Sequence, residues 1–77
     1  MTSTRARAQI RRTAWANGWT EDPGHDRGVS LGLTRGDRHV GVEFGSHGGI
    51  KFAATAGRAI PGPDRLGKVL AILTEAV

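Results

Sequence analysis

The chain has no cysteine among its 77 residues. That excludes a disulfide framework and a thiolate zinc site, and it fits a reducing compartment. No apolar run approaches the roughly 20 residues a helical membrane span needs. The first residues are Arg-rich but lack the apolar stretch of a secretory signal. A cytoplasmic protein without membrane association is expected. Aromatic residues are only 5% of the chain, and lysine is scarce: of the 11 basic residues, only Lys51 and Lys68 are not arginine. A chain this short holds one domain, with a small core and a thin stability margin.

What is present is a formal charge of +4. A basic surplus points to nucleic acid or to an acidic protein partner. Arginine over lysine, with abundant Gly and Ala, is equally what a GC-rich genome writes, so charge alone decides little.

The clearest signal lies between Gly28 and Ala56. Three runs alternate apolar and polar residues: Val29, Leu31, Leu33; Val40, Val42, Phe44; and Ile50, Phe52, Ala54, Ala56. Period-two alternation over consecutive runs predicts a half-buried antiparallel meander, with strands at about 28–35, 38–45 and 49–56. A two-residue turn at Gly36-Asp37 pairs Leu33 with Val40, Leu31 with Val42 and Val29 with Phe44. A three-residue loop at Ser46-His47-Gly48 pairs Phe44 with Ile50, Val42 with Phe52 and Val40 with Ala54. Gly48 falls where such a loop favours a left-handed residue. All large apolar residues then share one face, and a one-residue slip would expose the set.

Helices are expected on both sides. Ser3 or Thr4 can cap a helix over about residues 4–17, closed by a left-handed Gly18. Its apolar stripe is narrow: Ala6, Ile10, Thr13, Ala14 and Asn17. Arg11, Arg12, Ala8 and Trp15 lie on the other side, with Arg5 at its margin. Trp19 follows the cap and is expected to cover the edge of the core. Residues 20–27 read as a polar loop, and Gly57 to Gly62 leaves the sheet. A second helix is predicted over about 63–76, with Pro63 at its first position and Asp64 in its first turn. Leu66, Val69, Leu70, Leu73, Ala76 and Val77 give it a strong amphipathic face. The expected fold is a two-layer α+β domain of order α-β-β-β-α, with both helices on one face of a three-stranded meander.

This register also assigns the outer face. Ser30, Glu43 and Lys51 form one row, with Glu43 directly opposite Lys51. Gly32, Gly41 and Ala53 form the next, and Thr34, His39 and Thr55 the third. The Gly32-Gly41-Ala53 row has almost no side chain. It reads as a flat contact surface for a partner or for a second copy of this sheet, or as a plain solvated face. Without an exposed aromatic, such a face cannot stack bases as RNA-recognition sheets do.

Reactive chemistry finds little support. His25, His39 and His47 are dispersed and lack metal-ligand spacing. Ser46-His47 has no orienting group, and Glu21, Asp22 and Asp26 read as solvated loop acids. The glycines around Ser46 lack a phosphate loop's lysine and following helix. Arg35-Gly36-Asp37 reads as a tight turn. No catalytic residue, cofactor or metal is expected. Arg11 and Trp15, four residues apart, can stack on one helix face. With Arg12 they have the composition of a binding hot spot. The alternative is a rotated helix that buries Trp15 and exposes Ala6 and Ala14.

Two resemblances bear on these residues. The order helix, three strands, helix resembles double-stranded-RNA-binding domains and HicA-type toxins. The first group's basic cluster is absent from Pro63-Asp64-Arg65-Leu66-Gly67-Lys68, and Gly45-Ser46-His47 lies between strands two and three, unlike the Gly-Ser-His of the second. Through Thr13-Ala14-Trp15-Ala16-Asn17-Gly18-Trp19 and Thr34-Arg35-Gly36-Asp37-Arg38-His39-Val40-Gly41-Val42, the chain resembles small accessory proteins of actinobacterial phages. That resemblance implies a protein that engages a host factor without established chemistry. The expectation is a non-catalytic binding protein acting through Arg11, Arg12 and Trp15 or through Gly32, Gly41 and Ala53. Homodimerisation through either surface is compatible with it. The alternative is a nucleic-acid binder using Arg5, Arg7, Arg11 and Arg12 against phosphates.

Overall fold

The computed structural model describes residues 5–22, 30–46 and 49–75. The element order is α1 (Arg5–Ala16), β1 (Thr20–Glu21), β2 (Ser30–Arg35), β3 (Arg38–Phe44), β4 (Ile50–Thr55), β5 (Arg58–Ala59) and α2 (Arg65–Thr74). The strands form one antiparallel sheet in sequential order. The α+β class and the three central strands match the expectation. The sheet, however, has five strands rather than three, because short edge strands flank the meander.

Both additions arise where the chain reverses. Helix α1 ends in a Schellman motif: Gly18 takes φ 83°, Trp19 N–H bonds Ala14 O at 2.9 Å and Gly18 N–H bonds Trp15 O at 3.4 Å. The chain leaves extended, and Thr20 and Glu21 pair with Thr34 and Leu33. At the other edge, Ala56 and Gly57 both have positive φ, as a type I′ turn requires, and Arg58 and Ala59 fold back onto Thr55 and Ala54. Ile60 then enters the core, its N–H bonded to Ala53 O at 2.7 Å.

The first hairpin keeps the expected register, with Leu33 opposite Val40 and Leu31 opposite Val42. The second does not. Phe44 faces Ile50 as expected, but Glu43 then faces Phe52, so Lys51 is an extra residue forming a β-bulge. Beyond the bulge every β4 side chain is inverted relative to strict alternation. Ala53 is fully buried and Phe52 is 45% exposed. The physical reason is space: α2 packs against β4, and a small side chain fits beneath it. The bulge and its lysine also blunt an open sheet edge. The Gly48 assignment, and Val29 opposite Phe44, lie outside the described residues.

One core cluster holds the layers together. Ile10 and Ala14 of α1, Trp19, the inner residues of β2 to β4, Ile60, and Val69 and Leu73 of α2 are all buried. Both helices therefore cover one sheet face. Helix α2 begins two residues later than expected. Asp64, not Pro63, marks its start as N-cap, its carboxylate accepting the Gly67 N–H at 3.1 Å. A Cβ on Gly67 would lie 2.3 Å from that carboxylate, so glycine permits the cap. The helix ends at Thr74, and Ala76 and Val77 lie outside the described residues. No described helix is long and apolar enough to cross a membrane.

Candidate functional site

Helix α1 is oriented as its wheel implies. Ile10 and Ala14 are buried, and Trp15 is 56% exposed. The rotated arrangement that buries Trp15 is excluded. Arg11, Arg12 and Trp15 come together with Ala8 around a shallow depression of about 200 Å³. The Arg11 guanidinium lies 4.8 Å from the Trp15 ring centroid, within cation–π range. Arg11 Nε also donates to Glu21 Oε2, which ties the helix to β1. Arg11 is thus held against the ring from two sides. Arg12 and Arg5 remain exposed, while Arg7 is half-buried.

The outer sheet face departs from the expected rows. Gly32 pairs with Gly41, but Gly41 pairs with Ala54; Ala53 lies on the inner face and leaves the candidate surface. Glu43 faces Phe52 rather than Lys51, and the Thr34–His39 row does not continue into Thr55, which pairs with Val40. The row is therefore Gly32-Gly41-Ala54, but Gly32 is buried and leaves the accessible surface to Gly41 and Ala54, with an exposed Phe52 beside them. A depression of about 310 Å³ opens there, lined by Ser30, Gly41, Glu43, Phe52 and Ala54 among others. The expectation of an aromatic-free face is overturned. Glu43 is the cross-strand partner of Phe52, and Lys51 is exposed beside it.

A polar cluster that the sequence reading missed sits on the same face. Asp22 Oδ2 lies 2.7 Å from His39 Nε2, and Asp22 Oδ1 accepts from Thr34 Oγ1 at 2.7 Å. The Asp22 N–H also bonds Gly32 O at 2.8 Å. The hydroxyl donates to the acid and not to the imidazole, so this connectivity is not that of a base-activated nucleophile. It ties Asp22, which follows β1, to β2 and β3. Asp22 had read as one of three solvated loop acids; only pairing of β1 brings it against Thr34 and His39, and no sequence pattern announced that strand. Among the described residues no group of three His, Asp or Glu side chains could hold a metal ion. His25, Asp26 and His47 lie outside those residues.

The second tryptophan forms no surface. Trp19 is 2% exposed, and its Nε1–H donates to Leu73 O at 3.0 Å. Arg35 and Arg38 lie 5.1 and 5.8 Å from its ring centroid. Arg35 also donates to Asn17 O and Glu75 O, at 3.0 and 3.1 Å. This group fastens the end of α1, the β2–β3 hairpin and the end of α2.

Comparison with protein families, with curated proteins and with solved structures gave no match to this chain.

Proposed function

We propose that this chain is a small non-catalytic binding protein, a phage accessory factor that engages a host protein through the outer face of α1. The observation that carries this reading is Trp15, exposed on a helix whose opposite side supplies the core. A large indole left in water beside a guanidinium is the composition that dominates protein–protein hot spots. Arg11, restrained by Glu21 and by the ring, loses little freedom on binding. The partner's chemistry follows: an apolar recess for the indole, with a carboxylate near the exposed Arg12. The resemblance to actinobacterial phage proteins supports the host-protein side of the reading.

The test is affinity capture from a host lysate with wild type and Trp15→Ala. Loss of a specific captured protein in the variant is expected. An unchanged profile would contradict the reading.

A second reading, nucleic-acid binding, draws on the exposure of Arg5 and Arg12 on the same helix. Arg11 weighs against it, being already engaged by Glu21. Retention on nucleic acid that falls steeply between low and moderate salt, and is removed by Arg11→Ala with Arg12→Ala, would favour it.

A further inference from the structure

Four residues of α1 recur at intervals of three, four and three: Arg5, Ala8, Arg12 and Trp15. At about 100° per residue, Arg5 and Arg12 stand within about 20° of each other around the helix, and so do Ala8 and Trp15. Each pair is one heptad apart, about 10.5 Å along the axis. All four residues are exposed, while Ile10 and Ala14 face the core. The outer side of α1 is therefore a seam with one cationic row and one apolar row. Ala8 and Trp15 line the depression of about 200 Å³ already described. A seven-residue repeat is the interval at which one α-helix reads another. A β-strand repeats every two residues and keeps no such register. A phosphate chain would answer the arginine row and leave the apolar row without a partner.

We propose that this seam receives an amphipathic helix of the partner protein, with carboxylates one heptad apart against Arg5 and Arg12 and an aliphatic side chain between Ala8 and Trp15. The proposal rests on the outer face of α1 being the host-protein surface, and names what the partner lays on it. Charge on this face has one sign. Helix α1 contains four arginines and no acidic residue, and the neighbouring Glu21 is already paired with Arg11. An acidic helix meets it with the opposite sign, which favours encounter and fixes the heptad register. A second copy of this chain cannot be that helix. Neither α1 (Arg5–Ala16) nor α2 (Arg65–Thr74) carries an acidic residue within its span. The two acids that flank α2 are engaged, Asp64 with the Gly67 N–H and Glu75 with Arg38. Pairing α1 with α1 would set arginine beside arginine.

A labelled synthetic helix tests it: a peptide of about three heptads, with Glu at every a position, Leu at every d position and Ala elsewhere. One control peptide carries Lys in place of Glu, and another carries its Glu residues out of the heptad interval. Binding is read from the anisotropy of the peptide label with the full chain, and from Trp15 emission in a Trp19→Phe background. The Glu peptide is expected to bind and to shift Trp15 emission to the blue. Its affinity should fall at least about tenfold with Trp15→Ala and with Arg5→Glu combined with Arg12→Glu, and both control peptides should be weaker by a similar factor. The charge-reversed protein should instead prefer the Lys peptide. These side chains are exposed, so each variant should keep the wild-type thermal transition. No binding of the Glu peptide at millimolar concentration would overturn the proposal, as would equal binding of either control peptide. A duplex oligonucleotide or an anionic phospholipid vesicle that shifts Trp15 emission where the Glu peptide does not would also overturn it. Lysate capture separates this proposal from the reading beneath it. Capture lost in Trp15→Ala without peptide binding keeps the host-protein reading and removes the helical partner; peptide binding beside an unchanged capture profile removes the host-protein reading and leaves a helix-binding seam.

Discussion

Trp15 and Trp19 are four residues apart, and each has an arginine over its ring, yet they serve different ends. Trp19 lies under Arg35 and Arg38, donates to Leu73 O and is almost wholly buried. Trp15 lies under Arg11 alone and stays more than half exposed. The difference comes from the helix end between them. Had the helix continued, Trp19 would have lain one turn beyond Trp15, on the same outer side. Gly18 at φ 83° reverses the chain and turns Trp19 inward onto Ala14. Residue type and an arginine neighbour therefore do not separate fold from surface; the backbone turn does. One tryptophan fastens three elements, and the other is left for a partner.

Substitution can break this contrast, most sharply at Trp19. Trp19→Ala removes a buried indole and strands the Leu73 carbonyl, and should cost about 3–5 kcal/mol. In so small a domain that is enough to abolish the cooperative thermal transition, and a retained transition near the wild-type temperature would refute the structural role. A smaller effect is expected where β4 inverts. Ala53→Leu overpacks the core and should cost about 1–3 kcal/mol, whereas Phe52→Ala should stay within about 0.5 kcal/mol. Strict alternation predicts the reverse order, so chemical denaturation of this pair decides whether the bulge exists. Smallest of all is Trp15→Ala, expected to change stability by no more than about 0.5 kcal/mol.

The fold is legible in the sequence where one local rule governs and not where packing overrides it. Gly18 as a helix cap, Ile10 and Ala14 as the buried stripe, and Leu31 and Leu33 against Val42 and Val40 all follow from periodicity and turn chemistry. The bulge at Lys51 was not legible, because Ile50, Phe52 and Ala54 fit period two so well. The competing signal was volume: Ala53, not Phe52, suits the space beneath α2. That single inversion moved Ala53 off the contact surface and put Phe52 on it. The edge strands were hidden for another reason. Thr20-Glu21 and Arg58-Ala59 are too short to show a period, and they pair only because Gly18 and Gly57 direct the chain back. Of the candidate residues, Arg11, Arg12 and Trp15 are assembled as their helical spacing implies, and Gly32 pairs with Gly41 but is buried.

The orientation of α1 decides whether Trp15 can meet a partner, and tryptophan fluorescence measures it directly. In a Trp19→Phe background that keeps its cooperative thermal transition, Trp15 is the sole emitter. It should emit as a solvent-exposed indole and be quenched strongly by acrylamide, while Trp19 in a Trp15→Phe background should be shielded. A shielded Trp15, quenched no more than Trp19, would contradict the account.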